Sequence, residues 1–297
     1  MKLAAIDIGS NAARLLVTEV SSDDKGNTSF DKISLIRIPL RLGFDVFDTG
    51  KISPYKTELL LDTMRGFYFI TKAYQVEHLK ACATSAMRDA LNTPELLIKI
   101  KDLTGIDVEV ISGSDEASLV FENHIAETLT KDNSYLYIDV GGGSTELTFF
   151  SNGKMEFKES FNIGTIRLLK NKITEKDWDE MKSLVKDKTK GSKEVVAIGS
   201  GGNINKIYSL SRLKDGKPLP LQLLRDYYKE LNNATIKQRV SLYKLKEDRA
   251  DVIVPALQIY VNVMRWAGSE EILVPRIGLA DGLIHHLWEK VKDKIEL

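Results

Sequence analysis

Cysteine, proline and net charge are scarce in this sequence, and each shortage excludes something. Of 297 residues only Cys82 is a cysteine, so no intramolecular disulfide framework can form, and a cytoplasmic location is expected. Lysine plus arginine number 42 and aspartate plus glutamate also 42, for a formal net charge of zero. That balance argues against DNA or RNA as a partner, and there is no acidic tail. A polyanionic ligand would need a local positive site, because the protein as a whole offers no attracting field. Apolar runs stay well short of a membrane span, so no membrane partner is expected. Asp7 interrupts "MKLAAIDIGS" before a signal-peptide core can form. Low-complexity segments and long flexible linkers are missing too.

What is present reads as alternating strand and helix. "KLAAIDIGSNAARLLVTEV" is strand-like at both ends of a Gly-Ser-Asn turn. An apolar stripe at Leu60, Met64, Phe67, Ile70 and Tyr74 has helical spacing. "LKACATS" reads as a buried strand. "NTPELLIKIKDLTG" predicts a helix capped at Thr93 and stopped at Gly105. "DVEVI" resumes a strand, and "SGSDEASLVFENHIAETL" a helix. Thr174 and Asp177 fit a capping box ahead of Trp178, Met181 and Val185. This pattern predicts an α/β fold in two lobes, residues 1–127 and 128–297, with the final helix packing back on the first lobe.

The informative feature is an internal echo. "AAIDIGSN" (4–11) and "YLYIDVGGGSTELTFF" (135–150) each bring an Ile-Asp pair to a glycine-rich turn, one at the start of each half. A hairpin needs one or two glycines for positive φ, and a third implies close approach to backbone, for which phosphate is the usual reason. Gly141, Gly142, Gly143 and Ser144 are the expected phosphate donors in the second half, and Gly9, Ser10 and Asn11 in the first. "AIGSGGN", with Gly201, supplies a third glycine turn. Asp7 and Asp139 stand at strand ends beside these turns, placed to hold Mg²⁺ or Mn²⁺, with Glu146 on the far arm of the hairpin. The same carboxylates could equally cap turns. Arg14, Arg88 and Arg249 could each meet phosphate bidentately or serve as ion-pair partners. Asp115 and Glu116 open a helix, where acids complement the dipole, although a carboxylate there could also take a proton from attacking water. His285 and His286 diverge in direction on a helix and read as surface.

Two such hairpins in a two-lobed α/β chain resemble the actin-like superfamily, whose paired hairpins grip phosphate from opposite sides of a cleft. "AAIDIGSNAARLLV", "ACATSAMRDALN", "VEVISGSDEASLVF", "YIDVGGGSTELTFF", "FNIGTIRLL", "VAIGSGGNINKI" and "RADVIVPALQI" follow one another from residue 3 to about residue 284. Together they resemble the exopolyphosphatase / guanosine pentaphosphate phosphohydrolase (Ppx/GppA) family. The resemblance implies Mg²⁺-assisted release of the terminal phosphate of polyphosphate, or of the 5′ γ-phosphate of pppGpp, with Glu116 as the catalytic glutamate. It implies metal and phosphate roles for Asp139, Gly141 to Ser144 and Glu146, and for Asp7, Gly9 to Asn11, Arg14 and Arg249. By analogy with relatives it also implies a homodimer. The segment "VPRIGLADG" (274–282) departs from the family's usual "VSDxGLREG": Pro275 and Arg276 replace Ser-Asp, and Ala280 replaces Arg. The chain also looks like a short form without C-terminal helical domains. Two other readings remain open: a (p)ppGpp-binding sensor without turnover, and an actin-like kinase or ATPase.

Overall fold

The computed structural model of the chain describes residues 1–23, 27–122 and 133–292. They fall into two units, Met1–Asn123 with Gly278–Leu297, and His124–Ile277. The expected boundary at 127/128 lies outside the described residues.

In the first unit, β1 (Lys2–Ile8), β2 (Ala13–Ser22) and β3 (Thr28–Ile38) form an antiparallel meander. Next come α1 (Gly43–Thr49), α2 (Pro54–Ala73), β4 (His78–Ala83), α3 (Ser85–Asp89), α4 (Thr93–Thr104), β5 (Val108–Val110) and α5 (Gly113–Glu122). The 5-stranded sheet has the order β3-β2-β1-β4-β5, with β1, β4 and β5 parallel. Leu60, Met64 and Phe67 of the predicted stripe are buried on α2. Thr93 is the first residue of α4 rather than its cap; Asn92 precedes it, and Gly105 stops the helix in the left-handed region.

The second unit repeats the plan. Strands β6 (Ser134–Val140), β7 (Thr145–Ser151) and β8 (Lys154–Phe161) form its meander. They are followed by α6 (Thr165–Leu169), α7 (Glu175–Thr189), β9 (Val195–Ser200), α8 (Gly202–Ser211), β10 (Leu219–Pro220), α9 (Leu221–Asn233), α10 (Ile236–Tyr243), α11 (Glu247–Ala250), α12 (Ile253–Ala267) and β11 (Glu271–Leu273). The 6-stranded sheet runs β10-β11-β9-β6-β7-β8. Strand β9 is parallel to both β6 and β11. Setting the short β10 aside, this is the order of the first sheet read from the opposite end, so the echo seen in the sequence is a duplicated topology.

Apolar α12 forms much of the second core, with Ile259, Tyr260, Val263 and Met264 buried beneath β6 and β9. Helix α13 (Leu279–Val291) returns to the first unit and packs on β1, β2, β4 and α5. Its Leu283 and Ile284 join Leu3, Ala5, Leu16 and Cys82 in one buried cluster. Among the described residues no helix is long and apolar enough to cross a membrane.

The capping box expected at Thr174 and Asp177 forms, with each side chain accepting the other's backbone N–H. Replacing Thr174 by Ala is expected to cost about 1 kcal/mol of unfolding free energy, read as a lower urea midpoint at unchanged m-value.

Candidate active site

Both sheets end their parallel strands in the same way, and the candidate groups collect at those carboxyl ends, the usual binding edge of an α/β sheet. In the first unit Asp7 is the penultimate residue of β1 and only 3% exposed. Its cross-strand neighbour is Arg14, whose Nη1 donates to Asp7 Oδ2 at 2.6 Å. In the second unit Asp139 holds the corresponding place on β6, and its cross-strand neighbour is Glu146. Directly opposed residues share a face of the sheet, so here two carboxylates stand side by side. Glu146 is 3% exposed and accepts from Ser160 Oγ at 2.9 Å. One register position thus carries an acid–base pair in one unit and an acid–acid pair in the other.

The turns that follow are built alike. The Gly9 amide donates to Ala12 O (3.1 Å) and the Gly141 amide to Ser144 O (2.9 Å), closing each hairpin. The carbonyls of Gly141 and Gly142 accept from the amides of Thr165 and Ile166 (3.1 and 2.8 Å), and that of Gly143 from Arg167 Nε (2.7 Å). A trans peptide points its N–H opposite to the carbonyl of the preceding residue. Tying these carbonyls back therefore aims the amides of Gly142, Gly143 and Ser144 the other way, and none of them has an acceptor among the described residues. In the first turn Ser10 O and Asn11 O accept from Gly43 and Arg41 (both 2.9 Å), which orients the amides of Asn11 and Ala12 similarly. Successive outward amides of this kind make an anion nest.

Two expectations need correction here. The outward amides begin one residue later than expected in the second turn and two later in the first, where Gly141 and Gly9 use their own N–H groups to close the hairpins. Nor do the turn glycines serve positive φ: Gly9, Gly141, Gly142 and Gly143 all lie outside that region. Gly141 is needed for clearance, since a Cβ there would lie 3.1 Å from Ser144 O. The Ser10 hydroxyl is buried, 2.7 Å from Ser85 Oγ, and accepts the Ala86 amide at 3.1 Å. It fastens the first turn to α3.

Gly201 does have positive φ, +105°, and a Cβ on it would lie 3.1 Å from Asp139 Oδ1. It is the residue that lets backbone run close beside this carboxylate. Ser200, opposite Asp139 on β9, accepts a hydrogen bond from Tyr260 Oη. Complete burial, followed by the nearby Asp139 charge, pushes the Tyr260 hydroxyl well above its ordinary range. It stays a proton donor.

Glu116 stands half-buried in the first turn of α5, just past the end of β5, with its Oε2 atom closed off from solvent. Asp115 has a different task. Ser112 Oγ donates to its Oδ2 at 2.6 Å and accepts its amide at 3.1 Å, so this pair caps the helix. Arg88 Nη1 donates to Ile111 O at 2.8 Å, tying α3 to the end of β5. Cys82 lies opposite Asp7 on β4, and burial first, with smaller contributions from Glu109, Asp7 and Glu116, raises its thiol from 9.0 to about 12.

Asp7, Arg14, Arg88, Glu116 and the first turn thus belong to the first unit, and Asp139, Glu146, Gly201 and the second turn to the other. Arg249 sits half-buried on α11, just ahead of α12. Among the described residues no three His, Cys, Asp or Glu side chains group as a metal cage. His285 stacks on Phe30 with ring centroids 3.9 Å apart. Arg167 and Gly164 were not foreseen. A Cβ on Gly164 would fall 2.5 Å from Gly142 O and Gly143 C, so α6 presses directly against the turn. The segment "FNIGTIRLL" held both residues, but a single sequence gives no sign that they serve a turn some twenty residues away.

Comparison with known proteins fits this geometry. The model of the Ppx/GppA phosphatase family matches residues 20–291. The chain belongs to the Ppx/GppA phosphatase family. It is 28% identical to a bifunctional 3-dehydroquinate synthase/phosphatase of Fusobacterium nucleatum, covering 98% of this chain but 47% of that protein. It is 25% identical to exopolyphosphatase 2 of Mycobacterium tuberculosis, covering 95% and 97% of the two chains. The crystal structure of an exopolyphosphatase from Cytophaga hutchinsonii superposes with a TM-score of 0.82 at 24% identity, covering 98% of each chain. That of the Aquifex aeolicus family member gives 0.74 at 24%, covering 99% of this chain and 98% of that one. The fold shared with these Ppx/GppA structures is the actin-like α/β fold.

Two outcomes follow from these environments. Cys82 should resist a thiol reagent at pH 8 in the native protein and react only on unfolding, so labelling should track the unfolded fraction. Its folded pKa exceeds the unfolded one, so the unfolded chain holds fewer protons between pH 9 and about 12. Unfolding free energy should therefore fall with rising pH in that window, by at most about 1.4 kcal/mol per unit from this group, and Cys82→Ala should remove that slope.

Proposed function

We propose that this chain is a Mg²⁺-dependent phosphohydrolase that releases the terminal phosphate of inorganic polyphosphate or the 5′ γ-phosphate of pppGpp. The observation that carries this reading is the facing pair Asp139 and Glu146 beside a turn whose carbonyls are all tied back. The names of family relatives support the chemistry: exopolyphosphatase in Mycobacterium tuberculosis, and guanosine-5′-triphosphate,3′-diphosphate pyrophosphatase in Aeromonas hydrophila.

The residues present fit a hard divalent cation. Like charges placed directly opposite one another on a sheet repel, and a cation between them removes that cost. A pair of carboxylates with no third grouped beside it among the described residues would suit Mg²⁺, which is commonly held by one or two carboxylates together with waters and substrate phosphate. Asp139 and Glu146 would hold it, and bound there it would neutralise charge on the phosphate oxygens. The amides of Gly142, Gly143 and Ser144 hold phosphoryl oxygens and stabilise charge as it develops. Glu116 accepts the proton of the attacking water. Arg14 follows the first turn on β2, and its pairing with Asp7 keeps the guanidinium oriented. Asp7 was expected beside the metal as well; its Oδ2 is engaged by Arg14, so in this reading it would serve that arginine, and Asp139 and Glu146 would hold the cation.

A second reading, a silent sensor of (p)ppGpp, draws on the segment 274–282. Arg276 has φ +58° and pairs with Asp215 at 3.0 Å, and Ala280 is 5% exposed in apolar packing. No guanidinium reaches out from position 280, where relatives carry Arg.

Phosphate release from polyphosphate of defined length and from pppGpp separates these readings. Wild type should release phosphate only with Mg²⁺, and Glu116→Gln should lower kcat by at least about 100-fold. Binding of pppGpp without release would establish the sensor instead. Asp139→Asn should weaken Mn²⁺ binding, measured by calorimetry without substrate, by about tenfold or more. Unchanged Mn²⁺ affinity would remove Asp139 from the metal site.

A further inference from the structure

Helix α13 touches α5 at a point where neither has side-chain slack. A Cβ on Gly282 would lie 2.0 Å from Leu119 O and 2.6 Å from Leu119 C, against backbone that no rotamer change can move. Leu119 stands one turn after Glu116 on the same helix. Glycine at 282 therefore sets how closely α13 seats against α5, and any larger residue must drive the helices apart.

The seat is fixed on the other side as well. Asp281 accepts the Gly278 amide at 2.9 Å and pairs with Lys32 of β3 at 2.5 Å, locking the first turn of α13 to the sheet. Leu283 and Ile284 are 0% and 1% exposed against that sheet. An added methyl group cannot be relieved by moving α13 away, so α5 must shift, carrying Glu116 with it.

We infer that Gly282 is a positioning residue for Glu116. This rests on the reading of Glu116 as the base. Gly282 touches no reacting group; it acts by fixing the height of the helix that carries one. A displacement of about 1 Å at a catalytic carboxylate can cost up to about 100-fold in rate.

The test is a double-mutant cycle on phosphate release from polyphosphate. Gly282→Ala should lower kcat by at least about tenfold with KM held within about twofold. In a Glu116→Gln background the same substitution should cause little further loss, because its effect passes through the carboxylate already removed. Gly278→Ala is the control: it lies at the start of the same helix, has extended φ, and a Cβ there meets nothing within 4 Å. It should match wild type. An unchanged kcat for Gly282→Ala overturns the inference, and so does an equal loss in both backgrounds, which would mark a general destabilisation. Should Gly282→Ala fail to fold, Asp281→Asn, which frees the first turn of α13 from Lys32, should lower kcat about threefold in the wild-type background only, and an unchanged kcat there overturns the inference equally. If Glu116→Gln keeps wild-type kcat, it is the assignment of the base that fails, and the cycle separates that result from a failure of the inference about Gly282.

Discussion

Two carboxylates facing each other across one rung of a sheet are the constraint from which the rest of the site takes its form. Asp139 and Glu146 repel by register alone. Their surroundings hold both in place: Ser160 donates to Glu146, and Gly201 brings backbone close beside Asp139. Tyr260, forced to remain protonated, braces the strand end next door. At the equivalent rung of the first unit an arginine replaces the second acid, and the charge is balanced within the protein. The duplicated fold therefore carries two versions of one position, an acid paired with a base in one unit and an acid facing an acid in the other.

Beside each rung the turn follows a common rule, that its carbonyls are occupied from behind. In the second unit α6 does this with two amides and the side chain of Arg167; in the first, the stretch from Arg41 to Gly43 does it with two amides. The direction of the outward N–H groups is thus decided by residues outside the turns themselves. This pre-orientation is what distinguishes an anion site from a glycine-rich loop, whose amides would have to be ordered when the ligand arrives.

Much of this was legible in the sequence, and the gaps have physical causes. Both hairpins, the α/β alternation and the capping box at Thr174 could be read because each rests on neighbours in sequence. Strands β3 and β8 gave no clear signal, since β3 is an edge strand with no fully buried residue and β8 is mostly exposed, so neither shows a strong alternation. The turn glycines were found, but the positive φ expected of one or two of them is absent; the tight clearance of Gly9 and Gly141 from facing backbone leaves no trace in a single sequence. Gly164, Arg167 and Gly282 escaped for the same reason. Each is defined by a contact made far along the chain. That the Ser10 hydroxyl meets Ser85 could not be read either, since the two lie 75 residues apart in sequence.

The return of α13 to the first unit has a consequence for how the molecule is made. Residues 1–122 leave the ribosome first, yet their sheet lacks the helix that buries Leu3, Ala5, Leu16 and Cys82 until residues 278–292 have been synthesised. The second unit is continuous in sequence, residues 124–277. Synthesis therefore favours an inverted order, in which the later-made unit completes itself while the earlier one waits with an open apolar face. The long interval between β1 and α13 also makes their docking the contact of highest sequence separation, and so a step that slows folding. For the cell, that waiting face is the interval in which a chaperone has something to hold.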